Sequence, residues 1–263
     1  MSTLSLYNKN NLAIAVDVGN TFVSIGFFKD GEFYASFDVR SNEDAIKNAR
    51  DDLLAFKKKY KIENRDIVGG LICSVVPRTE MVVKHLIYDI FGISLDFMVY
   101  DNFKYLKMDI DNPMEVGGDI AADIAQAYEN YPHPCLVMDL GTISKNVYLD
   151  DDGVFVGTSF FPGVEACLKA MNEKTALLPE VDLAKKQKNI LGKNTKEAMM
   201  SGVYFGTALG IKAIADEIEK MSKKKLTKIL TGGNSHVLSK ELPDFIYDPY
   251  HVLKGIYLIY KNS

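Results

Sequence analysis

The chain has 263 residues, 47% of them apolar and 25% charged, with a formal net charge of -4 at pH 7. That balance suits one large globular domain or two similar halves, and its mild acidity excludes a nucleic-acid binder working through a broad basic surface. No run approaches the about 18 uninterrupted apolar residues of a membrane span, and the first residues lack the cationic start and apolar centre of a secretory signal. A frayed tail over 1–11 and a cytoplasmic protein without membrane contact are therefore expected. Cys73, Cys135 and Cys167 form no Cys-x-x-Cys pair, and His85, His133, His236 and His251 show no zinc spacing, so reduced, packed thiols are expected.

Periodicity predicts strands over 12–18 and 23–28, then a hairpin at Asp30-Gly31, where glycine tolerates the positive φ of a two-residue turn, and a third strand over 32–38. A helix follows over 42–60, a buried strand over 67–76 ending at Pro77, and a helix over 78–91. Helix 119–130 is rich in Ala and Ile, and 135–140 is a short buried strand. Helices over 164–175, 196–221 and from His251 onward, with a strand over 228–231 running into Gly232-Gly233, complete an α/β pattern. Lys223 to Lys225 read as a solvated helix end.

Residues 15–33 align without a gap to residues 137–155. Asp17 meets Asp139, Gly19 meets Gly141, Asp30-Gly31 meets Asp152-Gly153, and Phe33 meets Phe155. Each stretch reads strand, Asp-x-Gly turn, strand, Asp-Gly turn, strand. Any two hairpins can share such turns, but the common order and spacing favour a duplication, with the two Asp-x-Gly turns facing one another. The halves are expected to divide as 12–116 and 117–260.

An Asp-x-Gly turn has definite chemical uses. Gly19 admits a bulky anion to the backbone, and Asn20 and Thr21 offer donors beside it. Asp17 would repel phosphate directly, so its natural partner there is a cation or bound water. Asp139-Leu140-Gly141-Thr142 repeats the device, and two such turns suit a nucleoside triphosphate. Gly232 and Gly233, just after a strand, leave room for a flat ring or a ribose. Asp119, behind Gly117-Gly118 at a helix start, reads either as a helix cap or as a base that orients a hydroxyl toward a γ-phosphate.

With these residues the chain resembles the type III pantothenate kinases of the actin and hexokinase superfamily of phosphotransferases. The likeness runs from about Ala13 to Tyr260. It rests on Asp17-Val18-Gly19-Asn20-Thr21, Ser74 to Pro77, Asn112-Pro113 through Asp119, Asp139-Leu140-Gly141-Thr142, Pro162-Gly163, Lys174 to Pro179, Asn194-Thr195 with Glu197-Ala198 and Ser201-Gly202, and Thr231-Gly232-Gly233. The resemblance implies two duplicated, ribonuclease H-like halves around a central cleft. It implies a homodimer that phosphorylates the small molecule pantothenate with ATP, the first step toward coenzyme A, using Mg2+ and a monovalent cation, K+ or NH4+. It further implies that Asp17, Gly19, Asn20, Thr21, Thr142, Gly232 and Gly233 bind ATP and that Asp119 is the general base. Gly117, Gly118 and Thr195 would meet pantothenate, and Asp139 would hold the monovalent cation. The apolar residues Ile120, Ala121, Ile124 and Ala127 offer a seam for the dimer or a face buried within one subunit.

Three places in the chain, six residues in all, depart from the family pattern. Ile120 stands where an arginine usually follows the base, Ile110 stands where a tyrosine precedes Asn-Pro, and Ile143, Ser144, Lys145 and Asn146 replace a small residue and threonines. Losing the arginine removes a charge-assisted contact to an acidic acceptor, worth about 2 kcal/mol. Lys145 reads as a solvated lysine, or as a replacement positive charge. Two rival readings follow from the isoleucines: a relative that binds nucleotide or metabolite as a regulator with little catalysis, and a kinase for a different hydroxylated acceptor.

Overall fold

The computed structural model describes residues 11–181 and 189–263, so all but the last residue of the expected tail lies outside them. The chain divides into two compact units, each with its own five-stranded sheet.

In the first unit, β1 (Leu12–Val18) pairs antiparallel with β2 (Phe22–Lys29), and β2 with β3 (Glu32–Arg40). The second hairpin closes through Asp30 and Gly31, with φ of 52° and 98°. In place of one helix over 42–60 there are two, α1 (Glu43–Asn48) and α2 (Arg50–Lys59), meeting at Ala49, which ends one and starts the other. Strand β4 (Ile67–Ser74) runs parallel to β1 and feeds α3 (Pro77–Phe91). Pro77 opens this helix rather than closing the strand, because a first helical position needs no N–H donor. The short β5 (Asp96–Phe97) and α4 (Tyr100–Phe103) follow. The sheet order is β3-β2-β1-β4-β5. Ile14, Val16, Ile25 and Phe27 line one face and pack with Ile46, Leu53, Val83 and Ile87.

Helix α5 (Gly118–Asn130) leads into β6 (Cys135–Leu140), β7 (Ile143–Leu149) and β8 (Phe155–Pro162), a second antiparallel meander. Helices α6 (Val164–Glu173) and α7 (Thr195–Ser222) precede β9 (Thr227–Thr231), which lies parallel to β6. The short α8 (Ser235–Leu238) and β10 (Ile246–Tyr247) come next, and α9 (His251–Asn262) ends the chain. The order β10-β9-β6-β7-β8 repeats the first sheet strand for strand, with β6 in the place of β1. By length and composition alone α7 could cross a membrane. Its Met199, Met200, Val203, Tyr204 and Ile211 are instead buried with Leu136, Met138 and Leu140 in the core of this unit.

The units are not linear halves. The first takes in the chain up to Tyr105 together with Met114–Ala125 and Val252–Ser263, and the second takes Leu106–Pro113 and Gln126–His251. Within the first unit Gly255 of α9 sits against Ala122 of α5, where a Cβ would come within 1.9 Å of the Ala122 carbonyl oxygen. Ile120, Ala121, Ile124 and Ala127 are all buried within the chain. Of the two uses expected for that face, burial within one subunit is the observed one.

Candidate active site

The first Asp-x-Gly turn sits between β1 and β2. Val18 pairs with Val23, so four residues, Gly19 to Phe22, make the reversal. The Gly19 N–H donates to the Phe22 carbonyl at 3.0 Å, and the Ser41 N–H donates to the Thr21 carbonyl at 2.9 Å, which fixes the turn from both sides. Asn20 is exposed, and Asp17, Gly19 and Thr21 are half-buried at the strand end. Across the ladder Asp17 faces Ser24, whose hydroxyl donates onward to Asp38 at 2.6 Å.

The second turn is one residue shorter. Leu140 pairs with Ser144, leaving Gly141, Thr142 and Ile143 to reverse the chain, and Thr142 is exposed. The Gly163 N–H donates to the Thr142 carbonyl at 2.9 Å, and the Asn234 N–H donates to the Leu140 carbonyl at 3.0 Å. Gly163 is the buttress here, since a Cβ on it would lie 2.1 Å from the Gly141 carbonyl oxygen. Gly232, with φ of 90°, closes on the same place, and a Cβ there would come within 2.3 Å of Asp139 Oδ1 and 2.5 Å of the Leu140 nitrogen. Gly233 beside it has open space in the Cβ direction. The Pro162-Gly163 motif does not by itself disclose this service, because the contact joins the β6–β7 turn to the start of α6 across an intervening hairpin.

The shorter turn moves β7 by one residue relative to β2. Asp139 is therefore paired with Lys145, not with Asn146 as the gapless alignment implies. A longer Asp-Gly connection, Asp150 to Val154 in place of Asp30-Gly31, absorbs the difference, and Phe155 and Phe33 regain equivalence. Lys145 is not solvated. Its ammonium lies 2.6 Å from Asp139 Oδ2, and the two side chains are only 9% and 8% exposed. Directly opposed residues of an antiparallel pair share a face, so Val137 and Val147, next along the same face, shield this ion pair with fully buried apolar groups. Cys135 lies on that face too, and burial pushes its thiol up to about 12, which makes it no nucleophile at neutral pH.

These contacts bear on the monovalent cation that the resemblance assigns to Asp139. One carboxylate oxygen holds an ammonium, and the other faces the closely approaching backbone of Gly232. With its charge already met by the Lys145 ammonium, Asp139 is not left as a lone carboxylate for a further small cation.

Asp119 is the second residue of α5 and is half-buried. It lies inside the first turn rather than at the cap, and its Oδ1 accepts the Ile120 N–H at 3.0 Å. The glycines ahead of it are there for closeness. A Cβ on Gly117 would fall 2.7 Å from Asp119 Oδ1, and one on Gly118 would strike Met98 and Cys73. Ile120 is 8% exposed and packs in the interior, whereas Ile110 is half-buried. Thr195 opens α7 and is exposed; its neighbours explain much of the motif around it. Asn194 caps the helix by accepting the Glu197 N–H at 3.0 Å, Glu197 accepts the Lys193 N–H at 2.8 Å, and the Ser201 hydroxyl donates to the Ile190 carbonyl.

Twin sheets of one strand order, each opening on an Asp-x-Gly turn, define the α/β class of actin- and hexokinase-like phosphotransferases. Solved structures agree at the level of fold. A Baf family transcriptional activator from Campylobacter jejuni matches with a TM-score of 0.56 at 19% identity, covering 94% of this chain and 97% of that one. An activator of 2-hydroxyisocaproyl-CoA dehydratase from Clostridium difficile, solved with bound ADPNP, matches with a TM-score of 0.55 at 10% identity, covering 96% and 95%. The sequence profile described as type III pantothenate kinase matches residues 13–217. A type III pantothenate kinase of Agathobacter rectalis is 31% identical over 255 residues, 96% of this chain and 98% of that protein, and one of Listeria innocua is 28% identical over the same length. The chain belongs to the type III pantothenate kinase family.

Proposed function

We propose that this protein transfers the γ-phosphoryl group of ATP to the primary hydroxyl of pantothenate, the first step toward coenzyme A. The observation that carries the reading is the recurrence of an Asp-x-Gly turn at the same strand end of both sheets, which supports a phosphate contact from each. Gly19, Asn20 and Thr21 receive ATP phosphates, Thr142 makes a further ATP contact, and Gly233, open in the Cβ direction beside the tightly packed Gly232, leaves room for the nucleoside. Asp17 suits Mg2+, which binds nucleotides through one or two carboxylates plus phosphate oxygens and neutralises charge on the transferring group. Asp119 orients and takes the proton of the acceptor hydroxyl, Gly117 and Gly118 meet the acceptor through a backbone that packs close to Asp119, Met98 and Cys73, and Thr195 meets the acceptor as well.

Pantothenate carries a carboxylate, and neither Ile120 nor Ile110 offers it a charge. Lys145 is engaged with Asp139, so weak acceptor binding is part of this reading. The enzyme works in the cytoplasm, where its nucleotide is, and as a homodimer. The exposed face of α7 supports the dimer. A Cβ on Gly202, Gly206 or Gly210 would meet nothing, Leu209 is 52% exposed, and a groove of about 400 Å3 runs on past Ala213 and Met221. Light scattering that finds a monomer at micromolar concentration with full activity would remove that element.

The decisive experiment follows ADP release with ATP, Mg2+ and pantothenate, and then with pantetheine and other hydroxy acids. The expected result is turnover of pantothenate with a KM well above the micromolar range. Asp119→Asn lowers kcat by about 10²–10⁴-fold, as loss of a general base does. Undiminished turnover in Asp119→Asn removes the base assignment, and preference for another acceptor removes pantothenate.

A further inference from the structure

The paired strands that carry Asp139 and Lys145 also decide how this site meets monovalent ions. We infer that the Lys145 ammonium stands permanently where a monovalent cation would sit on Asp139, so that this kinase needs neither K+ nor NH4+. The inference rests on the kinase reading for its activity readout and on geometry alone for its stability readout.

Three observations carry it. The ammonium contacts Asp139 Oδ2 at 2.6 Å in a pair whose side chains are both more than nine-tenths buried, so the carboxylate charge is already balanced where water cannot screen it. The position is imposed by backbone rather than by a flexible side-chain choice. The three-residue turn puts Lys145 directly opposite Asp139, and a turn as long as the first would put Asn146 there and send Lys145 to the face of Met138 and Leu140. The other carboxylate oxygen lies close to the Gly232 backbone, where a Cβ would come within 2.3 Å of it, so glycine is needed on that side. A lysine ammonium and a bound K+ or NH4+ ion are each a compact single positive charge against a carboxylate oxygen. The lysine differs in being tethered, so its occupancy does not depend on salt.

Lys145 acts through Asp139 and is thus a positioning residue, and the test uses a readout that a merely structural side chain would not move. Pantothenate turnover and thermal midpoints are measured on the full chain in KCl, NH4Cl and tetramethylammonium chloride at equal ionic strength. For the wild type, kcat/KM changes less than twofold among the three salts, and the midpoint does not move. Lys145→Ala opens the space of the ammonium. In tetramethylammonium chloride it loses at least tenfold in kcat/KM and melts lower, and KCl or NH4Cl restores both. Tenfold or greater stimulation of the wild type by K+ overturns the inference, as does a Lys145→Ala defect of equal size in all three salts. The wild-type comparison requires no variant and stands even if Lys145→Ala does not fold. If no salt gives pantothenate turnover, the kinase reading fails, and the thermal series still decides the role of Lys145.

Discussion

The two meanders share strand order, an opening Asp-x-Gly turn and a bulge before the second hairpin, yet they place different chemistry against the aspartate. In the first, a four-residue reversal sets Ser24 opposite Asp17 in a half-buried, polar setting. In the second, a three-residue reversal sets Lys145 opposite Asp139 in a buried one. One residue in a turn therefore separates an aspartate that faces a serine from an aspartate paired with a lysine of its own chain. Side chains alternate along a strand with a period of two, so the smallest change of register exchanges everything that faces the neighbour.

The contrast can be broken most strongly at Lys145. In potassium-free buffer Lys145→Met leaves Asp139 buried without its cation, and a urea titration should show a loss of about 3–5 kcal/mol. Adding Asp139→Asn to that variant removes the stranded charge, so the double variant should recover a large part of the loss. Additive effects in this cycle would mean that the two groups do not depend on one another.

The corresponding change in the first unit is milder. Ser24→Ala removes the hydrogen bond to Asp38 from a partly solvated site and should cost about 1 kcal/mol by the same titration, with no response to the identity of the monovalent salt. A cost equal to that of Lys145→Met would show that the two turns are energetically alike after all.

A third pair, in the second unit, sets the lower end of the scale. Burial alone would raise the Glu219 carboxyl, but the Leu226 N–H at 3.1 Å and the Lys228 ammonium at 3.1 Å outweigh it, and its pKa lies below the ordinary 4.5. With the folded value depressed, the stabilisation is complete above the unfolded value and disappears as pH falls through the folded one. Glu219→Gln should cost about 1 kcal/mol or less at neutral pH and flatten the stability curve only below pH 4.5. A loss that set in near neutrality would point to a different titrating group.

Much of this protein could be read from residue order alone. Alternating apolar residues and Asp-Gly turns place the first three-stranded meander within two residues at each strand end, and the echo of 15–33 in 137–155 implies a second one. These features are local: turn chemistry and strand periodicity act over a few residues and survive whatever surrounds them. The Asp-x-Gly turns and the Gly117-Gly118-Asp119 segment were legible for the same reason, since each is a short stretch whose backbone demands are written in its own glycines.

Tertiary structure decided the rest. The exchange of Met114–Ala125 and the C-terminal helix into the first unit depends on the contact of Gly255 with Ala122, residues with no sequence relation. The pattern of Ile120, Ala121, Ile124 and Ala127 suits a subunit seam and an internal face equally, and the packing of the chain buries them within it. Lys145 makes the point most clearly. Its sequence context, a lysine between Ser144 and Asn146 after a turn, suits a solvated side chain, and an alignment without gaps sets Asn146 against Asp139. Only the pairing of β6 with β7 shows that the turn is one residue short and that the ammonium is buried on a carboxylate. Register is a relation between two strands and the length of their connection, and no single residue in either strand encodes it.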